Sequence, residues 1–261
     1  MNFNFYHVDA FTDSVFGGNQ AVVCLIEDWL PVDLMQSIAA ENAVAETAFI
    51  VAQNENYSIR WFTPEIEMDL CGHATLAAAH VITQYIDPSK SDLLLSSNSG
   101  ELRVTVEDGL ISLNFPSREP VNSTLPTEIS DAFSIQPIEV LKSRDYILVY
   151  PDQNTIISMK PNQSILNKIN LDPGGIVITS KGNTVDFVSR FFTPQASIFE
   201  DPVTGSAHCS LIPYWSAKLG KEKMEALQLS SRVGQLTCEN LGDRVLISGK
   251  AITYKKGTIT I

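Results

Sequence analysis

The 261-residue sequence predicts an α/β (α+β) protein of two similar halves, each a curved mixed β-sheet around one central helix. Three observations carry that prediction. RWFTP begins at Arg60 and RFFTP at Arg190, an offset of 130 (190 − 60). Downstream, DLCGHATLAAAH faces EDPVTGSAHCSLIPYW, and aligning Gly72 with Gly205 gives an offset of 133 (205 − 72). GELRVTVEDGLISL from Gly100 then resembles GQLTCENLGDRVLIS from Gly234, an offset of 134 (234 − 100). Ordered matches at nearly constant spacing are the signature of an internal repeat. A duplication with purely structural meaning is the bland alternative.

Each copy follows one grammar. A β-rich segment, residues 57–63 or 185–193, runs into a proline, which cannot continue a central strand. An acidic loop, a glycine and a helix follow. ATLAAAHVI is apolar almost all round, the pattern of a helix enclosed by other structure. In the second copy Ser206 is a candidate N-cap, Gly220 a candidate stop, and Pro213 is expected to kink the middle. Strands resume on alternating patterns, LRVTV and LISLNF, then RVLIS and AITY. A further helix is expected over residues 31–42, with Pro31 at its start and Leu34, Ile38 and Ala39 on one face. The unpatterned, Pro- and Ser-containing residues 116–128 mark the junction.

Bulk properties narrow the function class. The chain is 44% hydrophobic and carries a net charge of −12 with a pI near 4.7, so a phosphate backbone would repel it and nucleic acid is not expected as a partner. No window approaches the ~18 consecutive apolar residues of a membrane span. MNFNFYHVDAF lacks the pattern of a signal peptide, and Cys24, Cys71, Cys209 and Cys238 form no CxxC pair. A reduced, cytoplasmic protein without a membrane or metal role is expected. No GxxxxGK[ST], GxSxG or HExxH occurs, and no convincing GxGxxG, so nucleotide, flavin and metal cofactors are not expected.

What remains is proton chemistry. A helix start after glycine leaves backbone N–H groups free and carries partial positive charge, which suits an anion. Gly72-His73-Ala74 and Gly205-Ser206-Ala207 are two such starts, suited to a small carboxylate or its enolate. His73 stands where an imidazole can exchange a proton near neutral pH, or is simply a satisfied, partly buried histidine. His7, His80 and His208 read as structural. Asp201 is a proton-transfer partner or a loop carboxylate at a helix start. Glu46, in NAVAETAFIV, is either solvent-facing on an edge or partly buried with a raised pKa, the condition a carbon-acid general base needs. Cys71 reads as a reactive thiol or as a small buried residue.

The sequence resembles the PhzF-like (phenazine biosynthesis-like) isomerase family of the diaminopimelate epimerase-like superfamily. The resemblance runs over essentially the whole chain, through FYHVDAFTDSVFGGNQAVV, AETAFIV, RWFTPEIEMDLCGHATLAAAH and FFTPQASIFEDPVTGSAHCSLIPYW. It implies two facing half-barrel domains with the active site between them, residues 1–116 completed by 250–261, and residues 117–249. It also implies a homodimer and no cofactor. The family glutamate that moves a proton corresponds to Glu46, with His73 and Asp201 assisting. Gly72, Gly205 and Ser206 match backbone positions that hold a substrate carboxylate, and Ala74, at the same helix start as Gly72, is a further substrate-binding candidate. Superfamily racemases oppose two cysteines; here Cys71 fills one place, while the other falls on Thr204, which cannot act as a thiolate. The function expected is a cofactor-independent isomerase that moves a proton between carbons of a small carboxylate-bearing molecule. The alternatives are a Cys-dependent epimerase of an amino or imino acid and a non-catalytic metabolite-binding protein.

Overall fold

The computed structural model describes residues 1–53, 55–171 and 174–261, and the chain divides into two compact units. Unit 1 comprises residues 1–114 with 247–261; unit 2 comprises residues 115–246.

Unit 1 begins with the hairpin β1 (Asn2–Ala10) and β2 (Asn19–Ile26), which crosses through α1 (Val32–Asn42) to the parallel strand β3 (Glu46–Gln53). The antiparallel β4 (Asn56–Phe62) carries the short β5 (Glu67–Met68), after which α2 (Gly72–Val81) leads to β6 (Asp92–Ser97), parallel to β4. Hairpins to β7 (Gly100–Glu107) and β8 (Leu110–Pro116) follow, and the last strand, Ala251–Thr260, pairs antiparallel with β1.

Unit 2 repeats this order. After β9 (Val121–Asn122) and α3 (Thr127–Ala132) come the hairpin β10 (Glu139–Lys142) and β11 (Tyr146–Val149). The helices α4 (Gln153–Ser158) and α5 (Gln163–Leu166) cross to the parallel β12 (Ile176–Lys181). The antiparallel β13 (Phe187–Phe192) carries β14 (Glu200–Asp201), and α6 (Gly205–Leu219) crosses to β15 (Lys223–Gln228), parallel to β13. β16 (Gly234–Asn240) and β17 (Arg244–Gly249) complete the series.

The reasons for these elements are local. In α2, seven of the first eight residues after Gly72 are buried, so the helix has no polar face to show to water. It packs on β1, β2, β3 and the last strand. In α6 every residue from Gly205 to Ser216 except Ser206 is buried, and the helix stays continuous across Pro213. Proline cannot donate to the carbonyl four residues back. That carbonyl, of Cys209, instead accepts the backbone N–H of Arg118 at 2.9 Å. Gly220 ends α6 in the left-handed conformation, φ +64°. Two local expectations shift. The N-cap of α6 is Thr204, one residue before Gly205, not Ser206. The buried face of α1 is Met35, Ile38 and Ala39, with Leu34 only partly buried against the same cluster.

Each unit has its own core. In unit 1 Val22, Cys24, Met35, Phe49 and Phe62 fill the space under α1, with Phe49 and Phe62 edge to face at 5.6 Å. In unit 2 Tyr150, Ile156, Ile178, Val188 and Phe192 form the corresponding core. Full burial of each such side chain contributes roughly 1.5–3 kcal/mol. Both units also close the hairpin before the central helix with a two-pronged ion pair. Arg60 holds Glu67 through Nε–Oε1 and Nη2–Oε2, both 2.6 Å, and Arg190 holds Glu200 at 2.7 and 2.9 Å. The arginines are 130 residues apart and the glutamates 133 (200 − 67), so the three-residue insertion lies inside this loop.

The central helices each carry a histidine held in its neutral form, fully buried in His208 and partly buried in His80. In His208 the ring Nδ1 donates to the Thr204 carbonyl at 2.9 Å, and burial pushes its pKa down to about 4. His80 shares a 3.0 Å hydrogen bond with Thr253 Oγ1 and is likewise pushed down to about 4 by burial. An unfolded histidine binds its proton near pH 6.5, so between pH 6.5 and 4 the unfolded state holds more protons and stability falls with pH. Urea unfolding should show a loss of about 3 kcal/mol from His208 across that window, and less from the partly exposed His80. His208→Asn should flatten the slope.

Candidate active site

Glu46, Cys71 and His73 converge in unit 1. Glu46 is the first residue of β3, paired in register with Ala21 of β2, and its side chain is 14% exposed. Of the two places the sequence leaves open for Glu46, a solvent-facing edge and a partly buried position, the side chain occupies a partly buried one. Cys71 is the N-cap of α2, in extended conformation, and His73 is the second helical residue. Both are buried.

The imidazole lies between its neighbours. His73 Nε2 is 2.9 Å from Glu46 Oε2, within ion-pair reach, although the ring N–H direction is not aligned for an ideal hydrogen bond. Such contacts commonly tighten when substrate binds. On the other edge, His73 Nδ1 is 3.5 Å from Cys71 Sγ and 3.2 Å from Asn19 Nδ2. Asn19 is fully buried and was not singled out by any sequence motif, although it stands inside the FGGNQAVV segment. Its signal is tertiary: 54 residues separate it from His73.

The electrostatics are those of a shared proton. Burial opposes a charge on His73, but the neighbouring Cys71 and Glu46, when anionic, outweigh it and hold the imidazole well above its ordinary range. Burial, reinforced by Glu46, pushes the Cys71 thiol up, against the pull of His73 and the Ala74 backbone N–H. Ala74, expected to hold a substrate carboxylate, thus turns its N–H toward the Cys71 sulfur. Gly72 opens the helix beside it.

Candidate metal-ligand atoms of Glu46, Cys71 and His73 lie within 4.8 Å of one another. With a thiolate, a carboxylate and a neutral imidazole, a divalent cation there would be charge-balanced. As placed, however, the thiol faces Nδ1 and the carboxylate faces Nε2. The thiol and the carboxylate thus address opposite edges of the ring.

Unit 2 treats its helix start differently. Thr204 occupies the N-cap, and its hydroxyl donates to Asp201 Oδ2 at 2.6 Å. Gln228 ties the corner, accepting from the Thr204 N–H at 2.9 Å and donating to the Asp201 carbonyl at 2.8 Å. Asp201 is therefore anchored within its own loop. Gly205 is buried and Ser206 partly exposed. Cys209 lies a turn inside α6, its thiol directed at the Gly205 carbonyl of the same helix. Strand register shows what stands at the place of Glu46. Thr47 opposes Phe62 in unit 1 and Ile176 opposes Phe192 in unit 2, so Gly175 corresponds to Glu46. A Cβ there would lie 2.7 Å from the Phe192 carbonyl oxygen. Gly175, Thr204 and Ser206 thus replace Glu46, Cys71 and His73.

All four cysteines are buried. Native protein treated with iodoacetamide near pH 7.5 should leave Cys71 unmodified by mass spectrometry while the urea-unfolded chain is alkylated. Rapid, selective labelling of Cys71 would mark an activated thiolate instead.

The phenazine biosynthesis-like protein family model (PhzC-PhzF) matches residues 8–257. An uncharacterized isomerase of Pseudomonas aeruginosa is 44% identical over 259 residues, covering 99% of each chain. The crystal structure of a phenazine biosynthesis protein of the PhzF family from Enterococcus faecalis is 43% identical, with a TM-score of 0.96 over 100% of both chains. A hydroxyproline epimerase of Agrobacterium vitis, 8% identical, superposes with a TM-score of 0.61 over 99% of this chain and 92% of that one, a likeness of fold alone. Among the described residues no helix is long and apolar enough to cross a membrane. With the family model spanning nearly the whole chain and close relatives named as isomerases, the protein belongs to the phenazine biosynthesis-like family and is an isomerase.

Proposed function

We propose that this isomerase moves a proton between two carbons of a small carboxylate-bearing substrate without a cofactor, with Glu46 as the acid/base. The observation that carries the reading is the 2.9 Å approach of Glu46 Oε2 to His73 Nε2 in a partly buried setting beside a helix start. Glu46 takes a proton from an acidified carbon, and the electron pair of the broken C–H bond moves into the adjoining unsaturated system. The proton then returns to a second carbon, and no electron leaves the substrate. His73 steadies the Glu46 carboxylate and supplies a donor to the developing negative charge. The free N–H groups at the start of α2, beginning with Gly72, suit the substrate carboxylate.

A second reading, a thiol-dependent epimerase, draws on the 3.5 Å Cys71–His73 contact. Burial of Cys71 and the hydroxyl of Thr204 in the matching place weigh against it.

The test is a thermal-shift screen of cyclic and amino carboxylic acids, followed by deuterium wash-in from solvent at carbon for each compound that stabilises the protein. Wash-in is expected for at least one compound, and His73→Gln should slow it by about 10²- to 10⁴-fold. Asp201→Asn and Ser206→Ala in the same assay assign the unit 2 residues. Binding without any carbon exchange would support a metabolite-binding protein instead.

A further inference from the structure

The His73 ring has two edges, and the proposed reaction uses only one of them. The other is held by Asn19, and the turn before Asn19 is built to deliver it. Gly18 adopts φ +60°, and a Cβ there would stand 2.1 Å from the Ala10 carbonyl oxygen and 2.9 Å from Thr12 Cγ2. Only glycine fits this turn, which closes the β1–β2 hairpin with Ala10 opposite Asn19. Asn19 is thereby set in a fully buried position with its amide nitrogen 3.2 Å from His73 Nδ1.

An amide N–H donates and cannot accept. The contact therefore needs the lone pair of Nδ1, which leaves the single N–H of a neutral imidazole on Nε2, the nitrogen facing Glu46. The Cys71 thiol, also on the Nδ1 side, is a second donor type at 3.5 Å. If the ring took a second proton, Nδ1–H would face an N–H, an arrangement the anions Glu46 and Cys71 have to overcome. We propose that Asn19 is a positioning residue that fixes His73 as the Nε2–H tautomer and so keeps Glu46, not His73, as the proton acceptor. The catalytic part of this inference rests on the proposed function; the tautomer itself does not.

Asn19→Asp is the discriminating change, because it is nearly isosteric and exchanges a donor for an acceptor at the Nδ1 edge. Long-range ¹H–¹⁵N correlation spectra of the full-length protein, with His73 assigned by loss of its signals in His73→Gln, read the protonation of each ring nitrogen. In the native protein, at a pH high enough for the ring to be neutral, Nδ1 should be unprotonated and Nε2 protonated. In Asn19→Asp, Nδ1 should become protonated. On a substrate found by the screen, kcat should fall about 10- to 100-fold with KM changed less than threefold, and the pH–rate profile should move with the ring. A neutral native His73 that carries its proton on Nδ1 overturns the proposal without any variant. An unchanged tautomer in Asn19→Asp also overturns it, as does a changed tautomer with kcat within twofold of native. If Glu46→Gln turned over normally, the proposed function would fail, while the spectra would still decide the tautomer. Should Asn19→Asp not fold, Asn19→Ala gives the same spectral reading with the donor simply removed.

Discussion

The contact that organises unit 1 is the one between a buried imidazole and a partly buried carboxylate. Each group alone would be costly to remove from water, and each is tolerable because the other is there. The surrounding structure serves this pairing. The buried helix α2 carries the imidazole at its second residue, the start of β3 sets the carboxylate, and the Gly18 turn brings an amide to the far edge of the ring. The Arg60–Glu67 fork fixes the loop from which α2 begins.

The duplicated architecture makes unit 2 an internal control. It keeps the hairpin, the two crossovers, the arginine fork and the buried central helix. It does not keep the chemistry: a glycine hemmed in by Phe192 stands for the carboxylate, a hydroxyl for the thiol and a serine for the imidazole. The Thr204–Asp201–Gln228 network stiffens this second helix start, leaving no acid/base pair of the unit 1 kind among its matching residues. Duplication with one-sided chemistry agrees with a single carboxylate base better than with two opposed thiols.

Much of the fold was legible because its signals are local and repeated. RWFTP and RFFTP, two glycine-led helices and the alternating strands that follow are enough to predict two like halves. Helix ends were legible to within two residues, as Thr204 for Ser206 illustrates, since neighbouring small polar residues compete for a cap. The face of α1 was harder, because Leu34 and Met35 are both apolar and only the sheet decides which is buried. The site was legible in its parts and not in its geometry. Residues 45–47 allow both an exposed and a partly buried Glu46, and the choice is made by His73, 27 positions away (73 − 46). Asn19 leaves no local trace, because its partner is 54 residues downstream. Cys71, conspicuous in sequence, is buried with its thiol pushed toward the neutral form.

The central claim, that a carboxylate and not a thiol takes the proton, is tested most directly by comparing Glu46→Gln with Cys71→Ala in deuterium wash-in at the substrate carbon. Glu46→Gln should reduce the rate by at least about 100-fold, while Cys71→Ala should stay within about tenfold of native. Retained exchange in Glu46→Gln together with its loss in Cys71→Ala would contradict the account and transfer the role to the thiol.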